Sequence, residues 1–173
     1  LDWERATALV DGAREIAGGS RLIGEEVWRS IRQVTDLPVS HLVLTHMHPD
    51  HVFGASVFSE AGALVVGHSN LGRALEDRST DYLENFTDLI GPQAMLGTYL
   101  PPVDLALDAP FAIDLGGRSI DLVPWPLAHT GTDLTVTDSQ NGVLLAGDLL
   151  FDEHAPALDG SLRGWQAVLD LLE

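Results

Sequence analysis

Six side chains able to bind a metal ion or move a proton are grouped in three short stretches of this chain. His46, His48, Asp50 and His51 crowd into Thr45-His46-Met47-His48-Pro49-Asp50-His51; His129 stands in Leu127-Ala128-His129-Thr130-Gly131-Thr132-Asp133; Asp148 closes Leu144-Leu145-Ala146-Gly147-Asp148. In extended backbone, residues two apart point the same way, so His46 and His48 are expected to face one cation. Pro49 then bends the chain and lets Asp50 and His51 approach a second cation from another direction. Imidazole nitrogen with carboxylate oxygen suits Zn²⁺ where no thiolate is offered, and the chain has no cysteine. The H-x-H-x-D-H pattern arises by chance in roughly one chain per thousand of this composition, so a solvated loop with incidental histidines explains it poorly.

The elements around these stretches must place them. Ala6 to Asp11 (ATALVD) reads as a strand entering a turn at Asp11-Gly12, and Arg14 to Arg21 as a loop. Ile23, Val27, Ile31 and Val34 recur at helical spacing until Pro38. His41 to Thr45 is a buried-type strand, Val52 to Ala61 a helix, Ala63 to Gly67 a strand and Leu71 to Ile90 a helix. Gly91 to Leu107, with three prolines and little periodicity, reads as a long loop or lid. Pro110 to Ile113, Ser119 to Pro124, Leu134 to Asp138 and Val143 to Ala146 read as mostly antiparallel strands, with Asn141-Gly142 as a hairpin turn. Ser161 is placed to cap a last helix whose stripe is Leu162, Trp165, Val168, Leu169 and Leu172. The first histidine motif thus follows a strand and opens a helix, a placement that a site needs and a random loop does not.

Length and composition bound the rest. At 173 residues the chain suits one domain, residues 1–173, with its own core. No run approaches the 18 or more apolar residues of a membrane span, and the first residues show no basic patch followed by an apolar stretch of the signal-peptide kind. The formal charge of −17, with no lysine, argues against nucleic acid, an anionic membrane or a polyanionic substrate, and leaves a small molecule as the expected partner. Oligomeric state is not encoded in any feature above.

The three motifs, in this order, resemble the metallo-β-lactamase-like superfamily: H-x-H-x-D-H after a strand, a later single His, and an Asp closing a further strand. The resemblance implies an α/β fold, the αββα four-layer sandwich, with metals at one edge of its two sheets. It also implies that His46, His48 and His129 hold one zinc, that Asp50 and His51 hold a second, and that Asp148 bridges them, two zinc ions per chain in all. Adjacent dications need an anionic ligand between them, and a carboxylate with two oxygens supplies it. A shared water would then lose a proton near neutral pH, with Asp50 as the catalytic residue that orients the resulting metal-bound hydroxide against an ester, thioester, lactone or β-lactam carbonyl. The superfamily's final His ligand, from a Gly-His turn, is missing from the 25 residues after Asp148, so the chain is expected to be truncated at its C-terminus and clipped at its N-terminus, with a weakened second site. The stretches VTDLPVSHLVLTHMHPDHVFGASVF, VVGHSNL, AHTGTDLTV, AGDLLF and ALDGSLRGW are most similar to the quinoprotein relay system zinc metallohydrolase, or SoxH-like, branch, which implies a bacterial protein exported to the periplasm or secreted. Two other readings stand beside the hydrolase: a mononuclear iron oxidoreductase of the sulfur dioxygenase kind, and a non-catalytic metal-binding fragment.

Other polar residues divide between function and structure. His154 is a substitute ligand or a pocket or surface residue; Asp11 supports the metal loop or simply makes a turn; Trp125 lines the pocket or packs. His68 reads as structural, its ring satisfied by backbone groups.

Overall fold

The structure, a computed structural model, describes residues 7–10, 19–152 and 157–172. Four strands, β1 (Thr7–Val10), β2 (Val39–Val43), β3 (Leu64–His68) and β4 (Leu105–Leu107), pair side by side in sequence order, all parallel. Parallel neighbours need crossovers, and helices supply them: α1 (Arg21–Val34) between β1 and β2, α2 (Pro49–Val52) and α3 (Ala55–Glu60) between β2 and β3, and α4 (Leu71–Ile90) between β3 and β4. The second sheet, β5 (Phe111–Asp114), β6 (Ser119–Pro124), β7 (Leu134–Asp138) and β8 (Val143–Leu145), is an antiparallel meander, and α5 (Leu162–Leu172) follows it.

Side-chain alternation along the strands sorts the layers. Leu42 and Leu44 face the α1, α3 and α4 side with Phe53, Phe58 and Leu71, whereas Val43 between them joins Val66 and Leu107 against Ile113, Ile120, Leu122, Leu134 and Val136 of the second sheet. On the far side of that sheet, Trp165 and Val168 of α5 pack with Ala128 and Leu149. The order is helices, sheet, sheet, helix, the αββα sandwich expected. Ser161 caps α5 through its hydroxyl, which accepts from Gly164 N at 3.1 Å, and the β7–β8 hairpin turns at Gly142 in the left-handed region, φ 64°.

Four expectations need correction. The helix expected over Val52 to Ala61 is two short helices broken at Phe53 and Gly54. The strand expected over His41 to Thr45 runs Val39–Val43, because its pairing with β1 begins at Val39, ahead of its pairing with β3 at His41, and the chain bends at His46 and Met47. The Gly91 to Leu107 loop ends in β4, a sheet edge too short for its three residues to show alternation. Val34, the last residue of α1, and Leu162, the first of α5, are exposed at 86% and 67%, so the packed stripes run only to Ile31 and from Trp165. Among the described residues no helix is long and apolar enough to cross a membrane. Asp11 and His154 lie outside the described residues.

Candidate metal centre

Leu44 and Thr45 carry the chain off the end of β2, and the bend at His46 and Met47 turns successive imidazoles inward. Three hydrogen bonds fix this loop: Leu44 N donates to Val66 O at 2.8 Å, Met47 N to Thr132 Oγ1 at 3.1 Å, and Leu134 N to Thr45 O at 2.8 Å. The last two tie the His46 loop to the His129 loop although they lie more than 80 residues apart. The His129 loop is itself braced by Asp133, 3% exposed, which accepts from Thr130 N at 2.9 Å and from Thr130 Oγ1 at 2.6 Å.

Asp148 arrives from β8 through a single turn of 3-10 helix, Gly147–Leu149. Gly147 sits at φ 55°, and a Cβ there would lie 2.8 Å from Thr45 Cβ, so only glycine lets the two loops touch. The sequence stretch Gly-Asp is therefore a backbone requirement followed by a functional side chain.

These constraints bring the distant residues together. His48 Nδ1 lies 3.1 Å from His46 Nε2 and 3.0 Å from His129 Nε2, and Asp148 Oδ2 stands 3.8 Å from His46 Nε2 and 3.6 Å from His129 Nε2. One donor atom from each of His46, His48, His129 and Asp148 falls within 4.8 Å of all the others, a group that could hold a metal ion. Next to it, His51 Nε2 lies 3.3 Å from Asp148 Oδ1 and 3.5 Å from Asp50 Oδ2. His46, His51 and His129 are almost fully buried, whereas the Asp50 side chain is 42% exposed at the mouth. All six residues singled out from the sequence are neighbours here. The bend changes one detail, because His46 presents Nε2 and His48 presents Nδ1.

Electrostatics make the group fit a cation. Burial, then the charges of His51, His48 and His129, drives His46 well below the ordinary imidazole range. Burial likewise lowers His48, against the pull of Asp50, Asp159 and Asp148, and lowers His129 to about 4. Burial pushes Asp148 up, but the hydrogen bond and charge of His51, with His129 and His48, hold it below the usual carboxylate value. Three neutral imidazoles and one carboxylate are thus ready to coordinate at neutral pH. A proton on His48 Nδ1 could serve only one of the two Nε2 lone pairs that face it, whereas a cation satisfies all three nitrogens. Thr45 Oγ1 lies 3.1 Å from His46 Nδ1, in position to accept the ring proton of the tautomer that leaves Nε2 free for a cation.

Several contributors carried little sequence signal. The ring of Trp165 stands edge-on to His129, centroids 5.0 Å apart, and its indole N–H donates to Leu149 O at 2.9 Å, so α5 forms one wall. Tyr82 on α4 has its hydroxyl buried near Arg78, Asp159 and Asp50; burial raises its pKa, and the two carboxylates add to that. Asp133 is pushed up to about 6 by burial, with the Thr130 hydrogen bonds pulling it back. Thr-x-x-Asp is a local turn pattern, and that was its only trace in the sequence. His68 is structural: its Nδ1 accepts from Asn70 N at 3.0 Å, and the Trp125 backbone also bonds the ring. Trp125 packs with the α5 cluster and donates to Thr135 Oγ1 at 2.8 Å.

The model of the metallo-beta-lactamase superfamily matches residues 5–173, and the chain belongs to that superfamily. Among solved structures it is similar to a metallo-beta-lactamase from Pontibacter korlensis, TM-score 0.72 at 20% identity, covering 91% of this chain and 66% of that one. It is also similar to the B3 metallo-beta-lactamase BLEG-1, TM-score 0.68 at 20% identity, covering 96% and 74%. A metallo-beta-lactamase family protein from Thermus thermophilus aligns with TM-score 0.68 at 25% identity, covering 95% and 60%. The chain therefore spans about two thirds of the length of these structures. Comparison with curated proteins returns no match.

Proposed function

We propose that this protein is a metal-dependent hydrolase that holds two zinc ions and acts on an ester, thioester, lactone or β-lactam carbonyl of a small molecule. His46, His48 and His129 would hold the first ion, Asp50 and His51 the second, with Asp148 between them. The observation that carries two ions rather than one is the split of Asp148: Oδ2 faces His46 and His129, while Oδ1 faces His51 at 3.3 Å. When bound, the metals supply Lewis acidity toward a carbonyl oxygen and make water a nucleophile at neutral pH. The chain's own part is to hold its imidazoles neutral, to keep water from their buried faces, and to offer Asp50 at the mouth as the group that accepts and returns a proton.

The formal charge of −17 supports an uncharged or weakly charged substrate over a nucleic acid. The stretches quoted from the sequence support a place in the quinoprotein relay branch, and with it export to the periplasm, which cell fractionation tests.

Elemental analysis of the purified protein, paired with a substrate panel of those four carbonyl classes, tests the reading. We expect near two zincs per chain, turnover of at least one class, and a loss of about 100-fold or more in kcat for Asp50→Ala with the circular dichroism unchanged. One iron per chain with oxygen consumption would replace the hydrolase by an oxidoreductase. Metal uptake with no turnover of any class would leave a metal-binding protein without catalysis.

A further inference from the structure

His48 meets the other imidazoles through Nδ1, so its ring proton must sit on Nε2 for Nδ1 to bind a cation. Asp159 stands on that outer side, its Oδ2 3.6 Å from His48 Nε2, a gap that a small side-chain rotation closes to hydrogen-bond length. The Asp159 carboxylate is itself gripped from α4, where Arg78 makes two parallel bonds, NH1 to Oδ2 at 2.7 Å and NH2 to Oδ1 at 3.0 Å. The backbone around Asp159 is equally constrained. Asp159 N donates to His129 O at 3.2 Å, Ser161 N donates to Ala128 O at 2.8 Å, and a Cβ on Gly160 would lie 2.1 Å from Ala128 O. One residue therefore touches two of the three clustered imidazole residues, His48 through its carboxylate and His129 through its amide.

We propose that Asp159, held by Arg78, is the positioning residue of the metal centre: it fixes His48 in the Nε2-protonated tautomer that aims the Nδ1 lone pair at the cation, while its turn braces the His129 loop. The inference rests on the metal-binding reading above. The competing account is that Arg78 and Asp159 form only a surface tether between α4 and the turn before α5, which would change melting temperature but not a ring proton.

Two measurements separate them. Zn²⁺ alone is titrated into the full chain against a chromophoric chelator, and ¹⁵N-histidine spectra of the metal-free chain report the His48 tautomer. For Asp159→Ala we expect the tighter zinc to weaken by about 10- to 100-fold and His48 to become a mixture of tautomers; Asp159→Glu should restore most of both, and Arg78→Gln should fall between. Zinc affinity and tautomer unchanged in Asp159→Ala would reduce the pair to a tether and overturn the proposal. If Asp159→Ala does not fold, Asp159→Asn decides: a loss of about threefold or more in zinc affinity supports the role, and none refutes it. A wild-type chain that takes up no zinc would sink the metal reading itself, and the metal-free tautomer spectra would still judge Asp159.

Discussion

An imidazole offers a cation one nitrogen, and what the other nitrogen touches decides which. His46 gives its outer nitrogen to Thr45, and His48 turns its own toward Asp159. His129 packs against Trp165, and its buried Nδ1 has no hydrogen-bond partner among the described residues. Support for His129 comes through its loop, where Asp133 accepts from two groups of Thr130. Asp133→Ala should leave the buried Thr130 N–H without its acceptor and Thr130 Oγ1 with only Thr132 to bond, lowering stability by about 1–3 kcal/mol and zinc affinity about tenfold; chemical denaturation and zinc titration read the two effects, and unchanged affinity would show that His129 holds its place without this brace. The identities of the clustered residues were legible in the sequence because ligand chemistry resides in side-chain type. Which nitrogen each histidine presents was not, because it follows from the bend at His46 and Met47. Asp159 was hidden for a different reason: an acidic residue in a turn looks like every other surface carboxylate until Arg78, 81 residues away, is seen gripping it.

At the scale of elements, the loops after β2, β6 and β8 must meet, and one glycine governs the closest approach. Gly147→Ala places a Cβ against Thr45 and an L side chain at φ 55°; we expect a loss of about 2–4 kcal/mol, seen as a melting temperature lower by roughly 5–10 °C. A variant that melts with the wild type would mean that the Asp148 turn is looser than described. The junction of α1 with α3 depends on charge: Arg21 makes a two-bond pair with Glu60 at 2.7 and 2.8 Å, and Tyr99 donates to the same carboxylate at 2.9 Å. These hydrogen bonds lower Glu60 to about 2, and Arg118 with Asn141 lowers Asp138 to about 2. Because both folded values lie below the unfolded ones, each contribution is full above about pH 4.5 and fades as pH falls toward 2. Glu60→Gln should therefore lower stability at pH 6 and flatten its decline on acidification; urea titrations at several pH values would show an unchanged slope if the pair contributes nothing. Periodicity exposed α4, β6 and β7 at their full lengths, since long amphipathic runs overdetermine their type. It missed β4, whose three residues become a strand only by pairing with β3.

At the scale of the molecule, two sheets share one apolar seam, and the loops and short helical turns at one edge of that sandwich carry all six residues singled out from the sequence. This division explains why the fold class was legible: alternating β and α followed by a meander leaves few ways to bury both sheets. The chain carries a formal charge of −17, and Arg78, the guanidinium bonded beside the site, is neutralised by Asp159. A cation would thus enter a site of net negative character. X-ray diffraction at the zinc absorption edge, from crystals grown with Zn²⁺, tests the central claim most directly. The account predicts an anomalous peak about 2.0–2.1 Å from His46 Nε2, His48 Nδ1 and His129 Nε2, with a second peak beside His51 and Asp148. Zinc absent from the space between those three nitrogens, or His129 turned away from His46, would contradict it.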